Sequence, residues 1–164
     1  MQTTQLTFEK KPIKNCAFTG HRDLDDGFSK EKLQKIVLDL AEKGVKNFFC
    51  GMAKGFDLFA AEAVIKIKES YPDVKLISCV PFYGQEKAYS EEDKKRYVQI
   101  LRNCDFKMTF ADSYYKGCTL VRDKYMADNA DVLVAYLKKK TGGTAYTVGY
   151  FEKKYPEREI IFLD

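Results

Sequence analysis

Tryptophan is absent from this sequence, histidine occurs once, and proline only four times in 164 residues. A single histidine leaves no imidazole cluster for a metal, and no two cysteines stand in a C-x-x-C pair, so a zinc knuckle is excluded. The five cysteines are odd in number and scattered, which argues against a disulfide framework. Cys16, Cys50 and Cys79 fall in apolar runs, where a thiol serves as a small buried hydrophobe, and Cys104 and Cys118 read as equally ordinary. No apolar run approaches the roughly 20 residues of a membrane span, and the opening MQTTQLTFEKKPIKN lacks the apolar core of a signal peptide. These absences set the expectation of a soluble, cytoplasmic protein with no membrane partner, no metal and no required cofactor. A strong excess of one charge is missing too. The 28 Lys and Arg are interleaved with 24 Asp and Glu for a net charge of +4, so a sequence-wide grip on nucleic acid is not expected. Only Lys138-Lys139-Lys140 is a basic cluster, either a solvated loop or a rim that attracts phosphates.

What the chain does have is length and apolar content, 45% hydrophobic over residues 1–164, enough for one domain with a sizeable core. Residues 1–14 read as a flexible lead or a short extra strand. Short apolar runs alternate with amphipathic segments, the pattern of βα units in a parallel sheet. The expected strands are Cys16–Thr19, Lys46–Cys50, Lys75–Val80, Phe106–Phe110, Val132–Tyr136 and Glu159–Leu163. Most are continuous apolar runs, as strands covered on both faces should be. The first helix opens at Ser29, a good N-cap, spaces Leu33, Ile36, Val37, Leu40 and Ala41 along one face, and meets Gly44 where a left-handed residue ends helices. A second runs from about Asp57 and stops before Pro72; a third starts with the capping box of Ser90-Glu91-Glu92-Asp93. Thr119–Asn129 is helix-like but less periodic, and a last helix carries Thr144, Val148, Phe151 and Tyr155. The fold class is therefore α/β: a doubly wound, Rossmann-like, mainly parallel sheet of five to six strands with helices on both faces.

In such a sheet every strand delivers its carboxyl end to one edge, and ligands settle there at the point where the strand order reverses. Five loops reach that edge: Gly20-His21-Arg22, Gly51-Met52-Ala53-Lys54-Gly55, Pro81-Phe82-Tyr83-Gly84, Ala111 to Tyr115, and Leu137 to Thr144. The second and fifth feed glycine directly into a helix start, where free N–H groups and the positive end of the dipole favour an anion. Neither matches the Walker or G-x-G-x-x-G spacing, and paired glycines at βα turns also occur without a ligand. Arg22 suits a bidentate phosphate clamp or a surface pair with Asp23 or Asp25. His21 reads as a general base, as a ligand contact, or as a polar residue bonded to the backbone of its own turn. Phe82, Tyr83, Tyr114 and Tyr115 sit in edge loops and either flank a base or cap the core. No Ser-His-Asp or Cys-His arrangement stands out.

Four segments in order, FTGHR, CGMAKGFDLFAAE, RDKYMADNADVLVAY and TGGTAYTV, resemble the SLOG superfamily, and especially its YpsA-like branch of bacteria and phages, over about Asn15 to Tyr155. The superfamily is Rossmann-like and includes the Lonely Guy phosphoribohydrolases, DNA processing protein A, and sensor domains for nucleotide-derived signals. The resemblance implies that Gly20, Arg22, Gly51, Gly55, Arg122, Gly142, Gly143 and Thr144 surround the phosphates and sugar of a nucleotide, and the edge loops add His21, Met52, Ala53 and Phe82 as expected ligand contacts. It implies a module that senses or sequesters a nucleotide-derived small molecule, related to NAD or ADP-ribose. The phosphoribohydrolases follow their glycine loop with a catalytic glutamate, whereas Gly142-Gly143-Thr144 continues here as Ala145-Tyr146-Thr147. Hydrolysis of an N-glycosidic bond would then draw on His21, Arg122 or a relocated carboxylate, for which Glu62 is the candidate. Asp123 takes the place of the branch's usual asparagine after the arginine. A homo-oligomer that binds single-stranded DNA is the reading suggested by the DNA-processing relatives.

Overall fold

A computed structural model describes residues 12–164. The elements run β1 (Asn15–Gly20), α1 (Lys30–Glu42), β2 (Asn47–Cys50), α2 (Phe56–Ile67), β3 (Lys75–Val80), a short 3-10 turn (Gln85–Ala88), α3 (Glu91–Arg102), β4 (Phe106–Thr109), α4 (Cys118–Asn129), β5 (Val132–Tyr136), α5 (Gly143–Lys154) and β6 (Glu159–Phe162). All six strands pair in parallel in the order β4-β3-β2-β1-β5-β6. The chain steps outward from β1 to β4 and then returns to lay β5 on the other side of β1. That reversal makes the β1–β5 junction the switch point.

Residue alternation along the strands builds two cores. Cys16, Phe18, Phe48, Cys50, Leu76, Val80, Val132, Val134 and Tyr136 face α1, α2 and α3. Ala17, Phe49, Ile77, Cys79, Leu133 and Ala135 face Met126 and Ala127 of α4 and Val148 and Phe151 of α5. Because both faces are covered, β1, β2, β3 and β5 read as apolar throughout. The edges differ: three of the four residues of β4 are exposed, and both ends of β6. Helix limits follow local chemistry. Ser29 caps α1 by accepting from the Lys32 amide, Ser90 caps α3 by accepting from the Asp93 amide, and Gly44 closes the α1 end at φ +104°. The second helix ends at Ile67, four residues before Tyr71, because a turn through Ser70 already absorbs its carbonyls ahead of Pro72. The expected extra strand within 1–14 lies largely outside the described residues. None of the described helices is long and apolar enough to cross a membrane, and no cluster of metal-ligating side chains occurs among the described residues.

Candidate functional site

At the switch point lies a cavity of about 360 Å³, within the size range of small-ligand sites. Its wall is made by the end of β1 and its loop (Thr19 to Asp23), by Gly51, Ala53 and Asp57 after β2, by Thr119, Arg122 and Asp123 of α4, and by Lys139 and Thr141 to Thr144 before α5. The two glycine turns, some ninety positions apart in sequence, thus meet at one hollow.

The chemistry of the first turn is mostly internal. A Cβ on Gly20 would overlap the Phe56 ring, and a Cβ on Gly55, which sits at φ +82°, would overlap the backbone carbonyl of Arg22. Glycine at these positions lets the β1 loop lie directly on the start of α2, where the His21 carbonyl accepts from the Phe56 amide at 3.2 Å. The Ala53 amide donates to Asp57 Oδ2 at 3.2 Å, and the carbonyl of Met52 accepts from Gln85 and Tyr89. Met52 itself is buried at φ 63° and does not reach the cavity. At Gly51 the neighbour is a side chain. The position a Cβ would take stands 2.5 Å from Arg122 Nη1 and 3.0 Å from Asp57 Oδ2.

Arg122 is the hub. Buried on α4, its Nη1 donates to the carbonyls of Gly51 (2.5 Å) and Cys79 (3.1 Å), and its Nε donates to Asp123 Oδ1 (2.7 Å). Burial works against its charge, but Asp123 and Asp57 more than offset that and hold its pKa above the ordinary value. Burial raises the pKa of Asp123, which the adjacent guanidinium only partly counters. Burial likewise pushes Asp57 up to about 7, with Arg122 and the Ala53 amide pulling the other way.

The second turn offers the open donors. Gly142 begins α5 at φ +101° with no side-chain cap, and the amides of Gly143 and Thr144 have no acceptor among the described residues. Arg22 and Lys139 stand exposed on the same rim, and the Arg22 side chain has no ion pair among the described residues. His21 bridges the switch point rather than its own turn: Nε2 accepts from the amides of Lys138 (2.8 Å) and Lys139 (3.2 Å). Burial and the Lys139 charge lower its pKa. The lone pair a general base needs is therefore already engaged, and His21 serves to tie the β1 and β5 loops together.

Besides Met52, three sequence candidates do not line the cavity: Gly55, which faces the Arg22 backbone, Glu62 and Phe82. Glu62 is on the outer flank of α2, paired with Arg96 of α3, and does not line the cavity. Phe82 packs edge-on against Tyr114 with ring centroids 5.4 Å apart, also away from the cavity wall. Three carboxylates line the cavity, Asp23, Asp57 and Asp123, and the most deeply buried of them is Asp57. Read in the sequence, it was only the acidic residue of a helix start; its place two residues after a glycine that closes a βα turn was the signal that could have found it.

The carboxyl of Asp57 gives a pH test. Its folded value stands above that of an ordinary carboxyl, so the stability it carries is complete below about pH 4 and is lost as pH rises through about 7. The Asp57→Asn variant, neutral throughout, is expected to gain on wild type between pH 5 and pH 8 by about 3 °C or more in Tm, since about 1 kcal/mol shifts a domain of this size by 2–4 °C. A gap that stays constant over this range would show that the charge is fully compensated.

A parallel sheet covered on both faces, with its cavity at the strand-order reversal, defines a Rossmann-like α/β protein. Residues 16–162 match the model of the YspA SLOG family, and the chain belongs to that family. It is 32% identical over 138 residues to the UPF0398 protein BH1768 of Halalkalibacterium halodurans, covering 82% of this chain and 72% of that one. To the UPF0398 protein YpsA of Bacillus subtilis it is 26% identical over 155 residues, covering 87% and 86%. Among solved structures it is similar to DNA processing protein A of Streptococcus pneumoniae, with a TM-score of 0.69 at 17% identity over 93% of this chain. It spans only half of that protein. The Helicobacter pylori DNA processing protein A, described for its single-stranded DNA binding mode, aligns with a TM-score of 0.65 at 18% identity over 93% of this chain and 66% of that one. At these identities the likeness concerns the fold.

Proposed function

We propose that the cavity at the β1–β5 switch point binds a nucleotide or a nucleotide-derived ligand, in the range of NAD and ADP-ribose, as a sensing or sequestering module. The observation that carries this reading is that open α5 amides, Arg22, Lys139 and a buried Arg122 accompanied by Asp57 and Asp123 line one cavity. Phosphate suits the α5 turn, where uncapped N–H groups and the helix dipole act together with the two rim cations. Membership of the SLOG family supports the same reading.

A second reading, hydrolysis of an N-glycosidic bond, draws on Asp57. A carboxylate at the cavity stabilises a cationic sugar or activates water, the role for which Glu62 was the sequence candidate. The single-stranded DNA reading draws on the Helicobacter pylori neighbour's description; among the described residues that line the cavity the one phenyl ring, Phe18, is buried, so the lining offers no row of exposed rings on which bases could stack.

Thermal denaturation with AMP, NAD, ADP-ribose and a single-stranded oligonucleotide separates the three. A nucleotide at about 100 times its Kd is expected to add about 2.7 kcal/mol, a rise of roughly 5–10 °C, with the base still attached after incubation. Release of free base, abolished in Asp57→Asn, would move the reading to the hydrolase. A shift with the oligonucleotide alone, or with no member of the panel, would overturn it.

A further inference from the structure

Beside Gly51, in the cavity wall, one acceptor and one donor are left over. Asp57 and Arg122 are only 6% and 5% exposed, yet each keeps one polar atom without a partner among the described residues. Asp57 accepts through Oδ2 alone, and Arg122 donates through Nε and Nη1 alone. Among the described residues the only enclosed side-chain oxygen or nitrogen without a partner is Ser78 Oγ. Asp57 Oδ1 and Arg122 Nη2 therefore reach open space, and the space their residues line is the cavity. Two nine-tenths-buried side chains, both beside the position a Gly51 Cβ would take, present an acceptor and a donor to it.

We propose that this pair reads the vicinal diol of a ribose. One hydroxyl donates to Asp57 Oδ1, and its neighbour's oxygen accepts from Arg122 Nη2, so the cavity takes ribonucleotides and rejects their 2′-deoxy counterparts. The inference rests on the nucleotide reading above and adds the sugar to it. A phosphate at this pair would face the Asp57 carboxylate, and a cation would face the guanidinium, so the fragment that fits is neutral and carries a donor beside an acceptor. Position selects the diol among such fragments. Arg122 Nε bonds one oxygen of Asp123, and the other oxygen of Asp123 stands 3.9 Å from the Cβ position of Gly143, at the α5 turn with its open amides. Arg122 is thus about one side chain's width from the phosphate donors, and in a nucleotide the group next to the 5′-phosphate is the ribose. A missing hydroxyl would leave a desolvated charged group unpaired, which is a strong ground for rejection.

The test measures binding of AMP, GMP, CMP and UMP, and of their 2′-deoxy counterparts, by calorimetry with wild type, Asp57→Asn and Arg22→Ala. The expected result is that the ribo forms bind about 10- to 100-fold more tightly. Asp57→Asn, close to isosteric, should reduce that ratio to near one while Arg22→Ala weakens both forms and preserves it. Equal affinity for both sugars in wild type would overturn the inference and leave nucleotide binding standing. A ribo preference that survives in folded Asp57→Asn would also overturn it, by placing the diol elsewhere. If none of the eight binds, the inference falls, and with silence from NAD and ADP-ribose the underlying reading falls with it.

Discussion

Replacing Gly55 with alanine is expected to cost the domain about 3 kcal/mol or more, far beyond the usual loss for a glycine outside a helix. Two causes add. The residue sits at φ +82°, ψ −125°, outside the regions that L-residues adopt readily. Its Cβ would also overlap the carbonyl carbon and oxygen and the Cα of Arg22, and main-chain atoms have no rotamer by which to withdraw. The β1 loop would have to lift off α2, breaking the bond from the Phe56 amide to the His21 carbonyl and shifting Arg22 at the cavity rim. Gly44 supplies the control. It too has positive φ, at +104°, but an added Cβ meets nothing within 4 Å, so Gly44→Ala should lose only the conformational cost of about 1–2 kcal/mol. Urea denaturation of both variants checks the contrast. Equal losses would mean that the close approach of loop and helix is not what Gly55 serves.

This contrast shows what the sequence reveals and what it withholds. The strands of the sheet centre are legible because burial on both faces makes them uninterrupted apolar runs, and β1, β2, β3 and β5 fall within one or two residues of their sequence limits. The edge strand β4 ends one residue short of the expected limit, at Thr109, although the Phe110 amide still donates to the Val80 carbonyl of β3 while its ring packs against Tyr125. The two glycine turns were visible as turns, but their reasons were not. Gly55 and Gly20 make room for other parts of the same chain, and Gly51 for the guanidinium of Arg122, seventy-one positions away. No local pattern signals a contact of that separation. The same holds for His21, whose partners are amides of the loop after β5, and for Asp57, whose meaning depends on Arg122 arriving from α4. Glu62 had the right chemistry in the right helix, but one helical turn and a half places it on the face that meets α3, not on the cavity side.

Removing the charge at the hub is the other large effect. Arg122→Met keeps much of the stem's volume and deletes every donor, leaving the carbonyls of Gly51 and Cys79 without this partner and two carboxyls, the buried Asp57 and the half-buried Asp123, without their counter-charge. Breaking a buried ion pair from one side typically costs 3–5 kcal/mol, because the group left behind cannot regain water. The loss should depend on pH in a stated direction. With the guanidinium gone, both carboxyls, already raised by burial, rise further, so the folded state favours their protonated forms even more. The deficit against wild type is then smallest near pH 5 and grows as pH rises to 8. Adding Asp123→Asn and Asp57→Asn to Arg122→Met removes the stranded charges, and the triple variant should recover a large part of the lost stability at pH 8 but little at pH 5. Denaturant midpoints at the two pH values decide the matter. A deficit that is the same at both, and no recovery in the triple variant, would mean that Arg122 acts through its bonds to the two carbonyls and its packing, with the carboxylates as bystanders.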